Sequence, residues 1–254
     1  MKIPFEKKIE IMKRGGEILR NIFEELKKFI KPGVDTLTID EKAANLFEKF
    51  KVKSAFKNYK PDFSSKPYPG NICLSINEII VHGVPSKNKI IKEGDLLKID
   101  IGIIYENLYL DAATTLIIGD TDEINKKLVE ATKKALLNAI KIAKAGGRLG
   151  DIGYSIQKTI QESGFKVIKN LCGHDIGEYL HGNTQILNFG KPKTGKLIKK
   201  GMIFTIEPMA SISSEYAVQI NDFEFKTLDN SNSAHFEVTL AILDKDNLIL
   251  ADIL

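Results

Sequence analysis

The chain is poor in cysteine and histidine and has no long apolar run. Two cysteines, Cys73 and Cys172, are too few for a disulfide scaffold in 254 residues, so the fold must rest on burial. No stretch approaches the ~20 consecutive apolar residues needed to cross a bilayer, which excludes a membrane-spanning helix. The opening segment IPFEKKIEIMKRGGEILR lacks a secretory apolar core, and with the scarce thiols it points to the reducing cytoplasm. Low-complexity tracts are absent too. What is present, 43% hydrophobic and 28% charged residues, is the make-up of a globular chain with material for a sizeable core. The net charge of +4 is compatible with an RNA-rich neighbourhood such as the ribosome. Its lysines are spread along the chain, however, and read as solvated helix faces, so no specific nucleic-acid binding is expected.

Apolar residues from Ile9 to Ile30 recur at helical spacing and predict a first helix that Lys31-Pro-Gly stops. Thr38-Ile-Asp-Glu41 reads as a capping box opening a second helix through Lys49. Beyond the loop PDFSSKPYPG, residues 71–76, 79–82, 95–105 and 108–118 are strand-like. The second half restarts this order. Thr121-Asp-Glu opens a long helix to Lys144, Asp151 caps a shorter one, and strand-like pieces follow at 165–168, 202–206, 217–220, 234–243 and 248–250. The reading is an α+β chain of two similar halves, about 1–119 and 120–254, packed as a single catalytic domain with a site at their junction.

Chemistry concentrates near the ends of these strands. The chain's four histidines, His82, His174, His181 and His235, lie in short segments shared with carboxylates, which suggests one site. Asp100 and Asp111 stand eleven residues apart across the Tyr105-Glu106-Asn107 turn. In an antiparallel hairpin they fall opposite each other or one step out of register, and two like charges so placed call for a cation. Both also interrupt otherwise apolar runs. His174 is flanked by glycines in LCGHDIG, Glu207 precedes Pro208 where its strand must stop, and Glu237 shares a strand face with His235. One histidine and four carboxylates suit two hard or borderline divalent ions, leaving other histidines for substrate.

Five segments in order, SINEIIVHGVP, DLLKIDIGIIYENLYLDAA, CGHDIGEYLH, GMIFTIEPM and SAHFEVTLAI, make the sequence resemble the type I methionine aminopeptidases over essentially its whole length. The resemblance implies a pita-bread fold, two pseudo-symmetric halves with antiparallel sheet covered by helices. It also implies removal of initiator methionine from nascent polypeptide N-termini with a small second residue, by a monomer carrying two divalent ions (Co, Mn, Fe or Zn). Carried over by position, Asp100, Asp111, His174, Glu207 and Glu237 would be metal ligands, with Asp111 and Glu237 bridging. Glu207 would also shuttle a proton, His181 would hydrogen-bond the substrate carbonyl, and His82 would contact the scissile amide nitrogen. Tyr68, Cys73, Leu180 and Phe223 would line the methionine pocket, and His235 would neighbour Glu237.

The chain departs from the pattern in places. His181-Gly-Asn-Thr stands where His-Glu-x-Pro is usual, Gly102 where Thr is usual, Asp175 in place of Gly, His235 for Gln and Phe223 for Trp. None removes a ligand. An Xaa-Pro dipeptidase of the same fold is disfavoured because such enzymes usually carry a long extra N-terminal domain. An inactive peptide- or ribosome-binding relative is disfavoured because all five ligands are kept.

Overall fold

Helix α1 (Phe5–Phe29) gathers Ile11, Met12, Leu19, Ile22, Phe23 and Leu26 on one buried face, and it ends as Ile30 turns extended ahead of Lys31-Pro32. The computed structural model describes residues 3–254. Helix α2 (Thr36–Phe50) starts earlier than the sequence suggests. Its cap is Asp35, whose Oδ1 accepts from Thr38 N–H at 2.9 Å while Oδ2 accepts from the Thr38 hydroxyl at 2.7 Å. Similarly, α3 (Glu123–Ile142) is followed by α4 (Leu149–Glu162), in which Asp151 lies inside the first turn and reaches back to Arg148 N–H at 2.9 Å. In both cases an acid or hydroxyl was correctly associated with a helix start, but the position of the cap depended on the preceding loop.

The first half supplies β1 (Lys53–Ser54), β2 (Cys73–Ile76), β3 (Ile79–Val81), β4 (Leu96–Tyr105) and β5 (Leu108–Ile117). The second supplies β6 (Lys166–Val167), β7 (Cys172–His174), β8 (Gln185–Leu187), β9 (Ile203–Ile206), β10 (Met209–Ser211), β11 (Ala217–Gln219), β12 (Phe225–Thr227), β13 (Ser233–His235), β14 (Val238–Ile242) and β15 (Asn247–Ala251). Strand β4 pairs with β1, β2 and β5, and β14 lies between β9 and β15. Smaller sheets are β13-β10-β6, β11-β12-β3 and β7-β8.

The β4–β5 hairpin turns through Glu106 and Asn107, both with positive φ (45° and 63°), so Tyr105 pairs with Leu108. This register sets Asp100 against Ala113 and Asp111 against Gly102. The aspartates are therefore diagonal neighbours, not directly opposite or one step apart as expected, yet they still share a face because the offset is even. Ile99, Ile101, Ile103, Leu108, Leu110 and Ala112 occupy the other face and pack in the same core as α1 and α2. A second core joins α3 and α4 to Phe204, Ile206, Val238, Leu240 and Ile242.

The two halves meet along a seam. Asp111 N–H donates to Thr239 Oγ1 at 3.0 Å, and that hydroxyl donates to the Asp111 carbonyl at 2.8 Å. Ala113 and Glu237 form an antiparallel bridge, and Thr115 Oγ1 bonds the His235 carbonyl at 2.8 Å while accepting from His235 N–H at 2.9 Å. The run 234–243, expected as one strand, is broken here. Its first part pairs with β10 and its second with β9, and Phe236–Glu237 makes the change of partner.

Candidate metal centre

Asp100 and Asp111 project from β4 and β5, His174 closes β7, Glu207 follows β9, and Glu237 lies between β13 and β14. All five line one cleft of about 330 Å³, together with His82, His181, His235, Tyr68, Cys73 and Phe223. Among the described residues no lysine or arginine lines it. Asp100, Asp111, Glu207 and Glu237 are each at most 8% exposed. Burial pushes the Asp100 carboxyl up to about 7, and burial with neighbouring carboxylates holds Asp111, Glu207 and Glu237 well above the usual range.

The histidines move the other way. Burial pushes His174 and His82 down to about 4 and His235 down to about 3, and desolvation in the cleft with nearby His174 brings His181 to about 3. All four are neutral imidazoles at physiological pH. The approaches of His174 Nε2 to Glu207 (3.7 Å) and of His235 Nε2 to Glu207 and Glu237 (3.8 and 3.9 Å) are therefore not ion pairs.

The donor set fits divalent cations. Asp100 Oδ1, Asp111 Oδ1 and Glu237 Oε1 are buried without a hydrogen-bond partner, as are both ring nitrogens of His235. Ligand atoms of Asp111, His174 and Glu237 lie within 4.8 Å of one another, and so do those of Glu207, His235 and Glu237. Buried oxygens with neither donor nor counter-charge cost several kcal/mol each unless protonated or matched by a cation. Carboxylates with neutral imidazole match hard or borderline divalent ions. His235 is closer to the centre than a mere neighbour of Glu237, since its Nε2 faces two carboxylates at once.

Around this centre lie groups that the sequence did not disclose. Thr205 Oγ1 donates to Glu207 Oε1 at 2.9 Å and accepts from His174 N–H at 3.1 Å, tying two of the acceptor groups together. The two-residue strand period, which places Thr205 on the face of Glu207, was a usable signal for it. Tyr59 Oη sits 2.9 Å from His181 Nδ1 although 122 residues separate them, and no local pattern could have linked them. His82 adopts a left-handed φ of 58° and stacks at 5.4 Å on Phe63, so backbone strain turns its ring toward the cleft.

One end of the cleft is apolar. Tyr68 and Phe223 meet edge to face at 5.3 Å, and Tyr68 Oη donates to the Gly83 carbonyl at 2.8 Å. Cys73 is 4% exposed beside them. Leu180, expected in the same wall, is 2% exposed and belongs to the same apolar cluster as Tyr68, Cys73 and Phe223. Gly102 has a physical account: a Cβ there would lie 2.4 Å from Phe56 Cε1, so the Phe56 ring fills the space a side chain would need.

Fold and site together define a metal-dependent hydrolase with an apolar slot beside its acceptor cluster. The model of metallopeptidase family M24 matches residues 10–252. A methionine aminopeptidase of Aquifex aeolicus is 40% identical over 251 residues, covering 98% of this chain and 97% of its own. The crystal structure of a methionine aminopeptidase from Thermotoga maritima superposes with a TM-score of 0.92 at 40% identity, covering 99% of this chain and 98% of its own. The prolidase of Pyrococcus furiosus shares the fold at a TM-score of 0.73 and 22% identity, over 96% of this chain and 63% of its own. The chain belongs to metallopeptidase family M24, and within it to the methionine aminopeptidases. Its fold is the pita-bread fold expected from the sequence.

Proposed function

We propose that the protein removes the initiator methionine from nascent polypeptides whose second residue is small, acting as a cytoplasmic monomer. The observation that carries this reading is the convergence of five acceptor side chains in a cleft that no described lysine or arginine lines, beside the Tyr68–Phe223 slot. In this reading Asp100, Asp111, His174, Glu207 and Glu237 would together hold two divalent ions. Such ions supply Lewis-acid charge that ionises water near neutral pH and polarises a carbonyl. We also read residues 1–119 and 120–254 as repeats of one unit within a single catalytic domain.

The remaining chemistry belongs to side chains. Glu207, oriented by the Thr205 hydroxyl, takes the proton of the attacking water and returns it to the leaving amine. His181 is neutral and its Nδ1 is engaged by the Tyr59 hydroxyl at 2.9 Å; in the tautomer that carries its proton on Nε2, Nδ1 accepts from Tyr59 and Nε2 donates to the oxygen of the substrate carbonyl as negative charge develops. His82, held by Phe63 and Phe225, faces the scissile amide nitrogen. Tyr68, Cys73, Leu180 and Phe223 bury an unbranched thioether side chain, and the α-amine points to the Asp100 end, limiting cleavage to the first residue. The test is hydrolysis of Met-Ala-Ser, Ala-Ala-Ser and Xaa-Pro peptides by metal-stripped protein titrated with Co, Mn, Fe or Zn. Selective cleavage of Met-Ala-Ser is expected, and inactivity with every metal would defeat the reading.

A further inference from the structure

His181 stands in a loop, residues 175–184, that Ile176 and Leu180 anchor in the apolar core. Its outer side borders a second cleft of about 340 Å³ lined by Lys8, Asp175, Tyr179, Thr184 and Lys196 among others. The links across that cleft, Lys8 to Glu178 at 2.8 Å and Lys196 to Thr184 Oγ1 at 2.9 Å, are exposed polar contacts of the kind that contribute little. Asp175 grips the loop on both sides of His181. Its Oδ2 accepts from the Tyr179 hydroxyl at 2.7 Å, its Oδ1 accepts from Thr184 N–H at 2.5 Å, and its main-chain carbonyl accepts from Gly182 N–H at 2.9 Å.

The grip leaves no room at the next position. A Cβ on Gly182 would lie 2.4 Å from Asp175 Cγ and Oδ2 and 2.4 Å from the Tyr179 ring. Both Asp175 oxygens are committed to hydrogen bonds, so the carboxylate cannot swing aside without releasing the loop. Two separate departures from the family pattern, an acid after His174 and a glycine after His181, thus meet in space.

We infer that Asp175 is a positioning residue for His181 and that Gly182 is its necessary complement, the pair replacing another way of holding this loop. The inference rests on the reading of His181 as a donor to the substrate carbonyl. The Asp175 side chain contacts neither substrate nor acceptor cluster in this scheme, and its main-chain carbonyl, 3.2 Å from His174 Nδ1, is common to every variant at this position. The side chain acts through the loop, by fixing the direction of the His181 ring, which Tyr59 then holds from the opposite half.

A double-variant cycle on the full, metal-loaded protein tests this. Asp175→Gly should lower kcat on Met-Ala-Ser about 10- to 100-fold through misplacement of His181, with metal content and unfolding midpoint retained. In a His181→Ala background the same change should cost less than about twofold. Asp175→Asn, which keeps an acceptor for Thr184 N–H and can donate to Tyr179 Oη, should restore most of the rate. Gly182→Ala should slow the native protein and do less harm in Asp175→Gly. An Asp175→Gly effect that multiplies in full upon His181→Ala, or an unchanged kcat, would overturn the inference. If His181→Ala leaves turnover untouched, the catalytic role of His181 fails instead. The ring resonances of His181 in ¹⁵N-histidine-labelled protein then decide: displacement by Asp175→Gly supports the positioning and no displacement refutes it.

Discussion

The backbones of Ala113 and Glu237 hydrogen-bond in both directions, Glu237 N–H to the Ala113 carbonyl at 2.8 Å and Ala113 N–H to the Glu237 carbonyl at 3.3 Å. Ala113 is two residues from Asp111 on the same strand face, so this bridge fixes one carboxylate relative to another across the seam. Side-chain loss at Glu237 should therefore act on the ions and not on the seam, which is made by main chain.

Glu237→Ala should bind less metal and lose essentially all activity, whereas His181→Ala should keep its metal and turn over more slowly, by about 10²-fold if His181 behaves as an ordinary oxyanion donor. Elemental analysis beside steady-state kinetics separates the two. Equal metal loss in both variants would contradict the assigned roles.

Metal binding should weaken as pH falls through about 7. Burial raises Asp100 to about 7 when no cation faces it, so below that pH an ion must displace its proton. The apparent Kd should rise about tenfold per unit between pH 7 and pH 6 for each proton displaced. Stability is a poorer readout. In metal-free protein the raised Asp100 contributes stability present at low pH and lost as pH rises through about 7, while the lowered His174 contributes stability present above about 6.5 and lost as pH falls toward about 4. These slopes oppose each other. Titration calorimetry across pH 6–8 is the direct check, and a constant Kd would refute the assignment.

Gly102→Thr, the change toward the residue usual in relatives, should destabilise this chain by about 1–3 kcal/mol through overpacking against Phe56. Phe56→Leu combined with Gly102→Thr should recover part of that loss. Urea unfolding of both variants beside the unaltered chain measures it, and a neutral Gly102→Thr would show that the Phe56 ring moves freely.

Tyr59→Phe removes the hydroxyl that faces His181 Nδ1 at 2.9 Å. Loss of one hydrogen bond of about 1 kcal/mol corresponds to about fivefold in rate, with metal content unchanged. An unaltered kcat would mean that His181 takes its tautomer without help from Tyr59.

Three of the acceptor residues stood out because they broke a local pattern, while His174 and Glu237 were singled out chiefly by the family resemblance. Asp100 and Asp111 interrupt apolar strands, and Glu207 stands where Pro208 ends one. The long helices and the β4–β5 hairpin were legible for the same reason, as periodicity over ten or more residues leaves little choice. Strands β7, β8, β10 and β12 were not, since three residues carry no period and exist only because partners lie alongside. The parts played by Tyr59 and Phe56 were hidden for a related reason: each is decided by a contact with a distant part of the chain. Asp175 was visible as an oddity, but its purpose required the position of Gly182.

The seam has a bearing on how the protein comes into being. Asp111 and Thr239 meet across 128 residues, so the acceptor cluster cannot form until the second half has been synthesised and docked on the first. A fragment ending before β7 would lack His174, Glu207 and Glu237, the side chains that face Asp100 and Asp111 across the cleft. A copy whose second half is missing is therefore expected to lack peptidase activity, so that competence comes only late in translation.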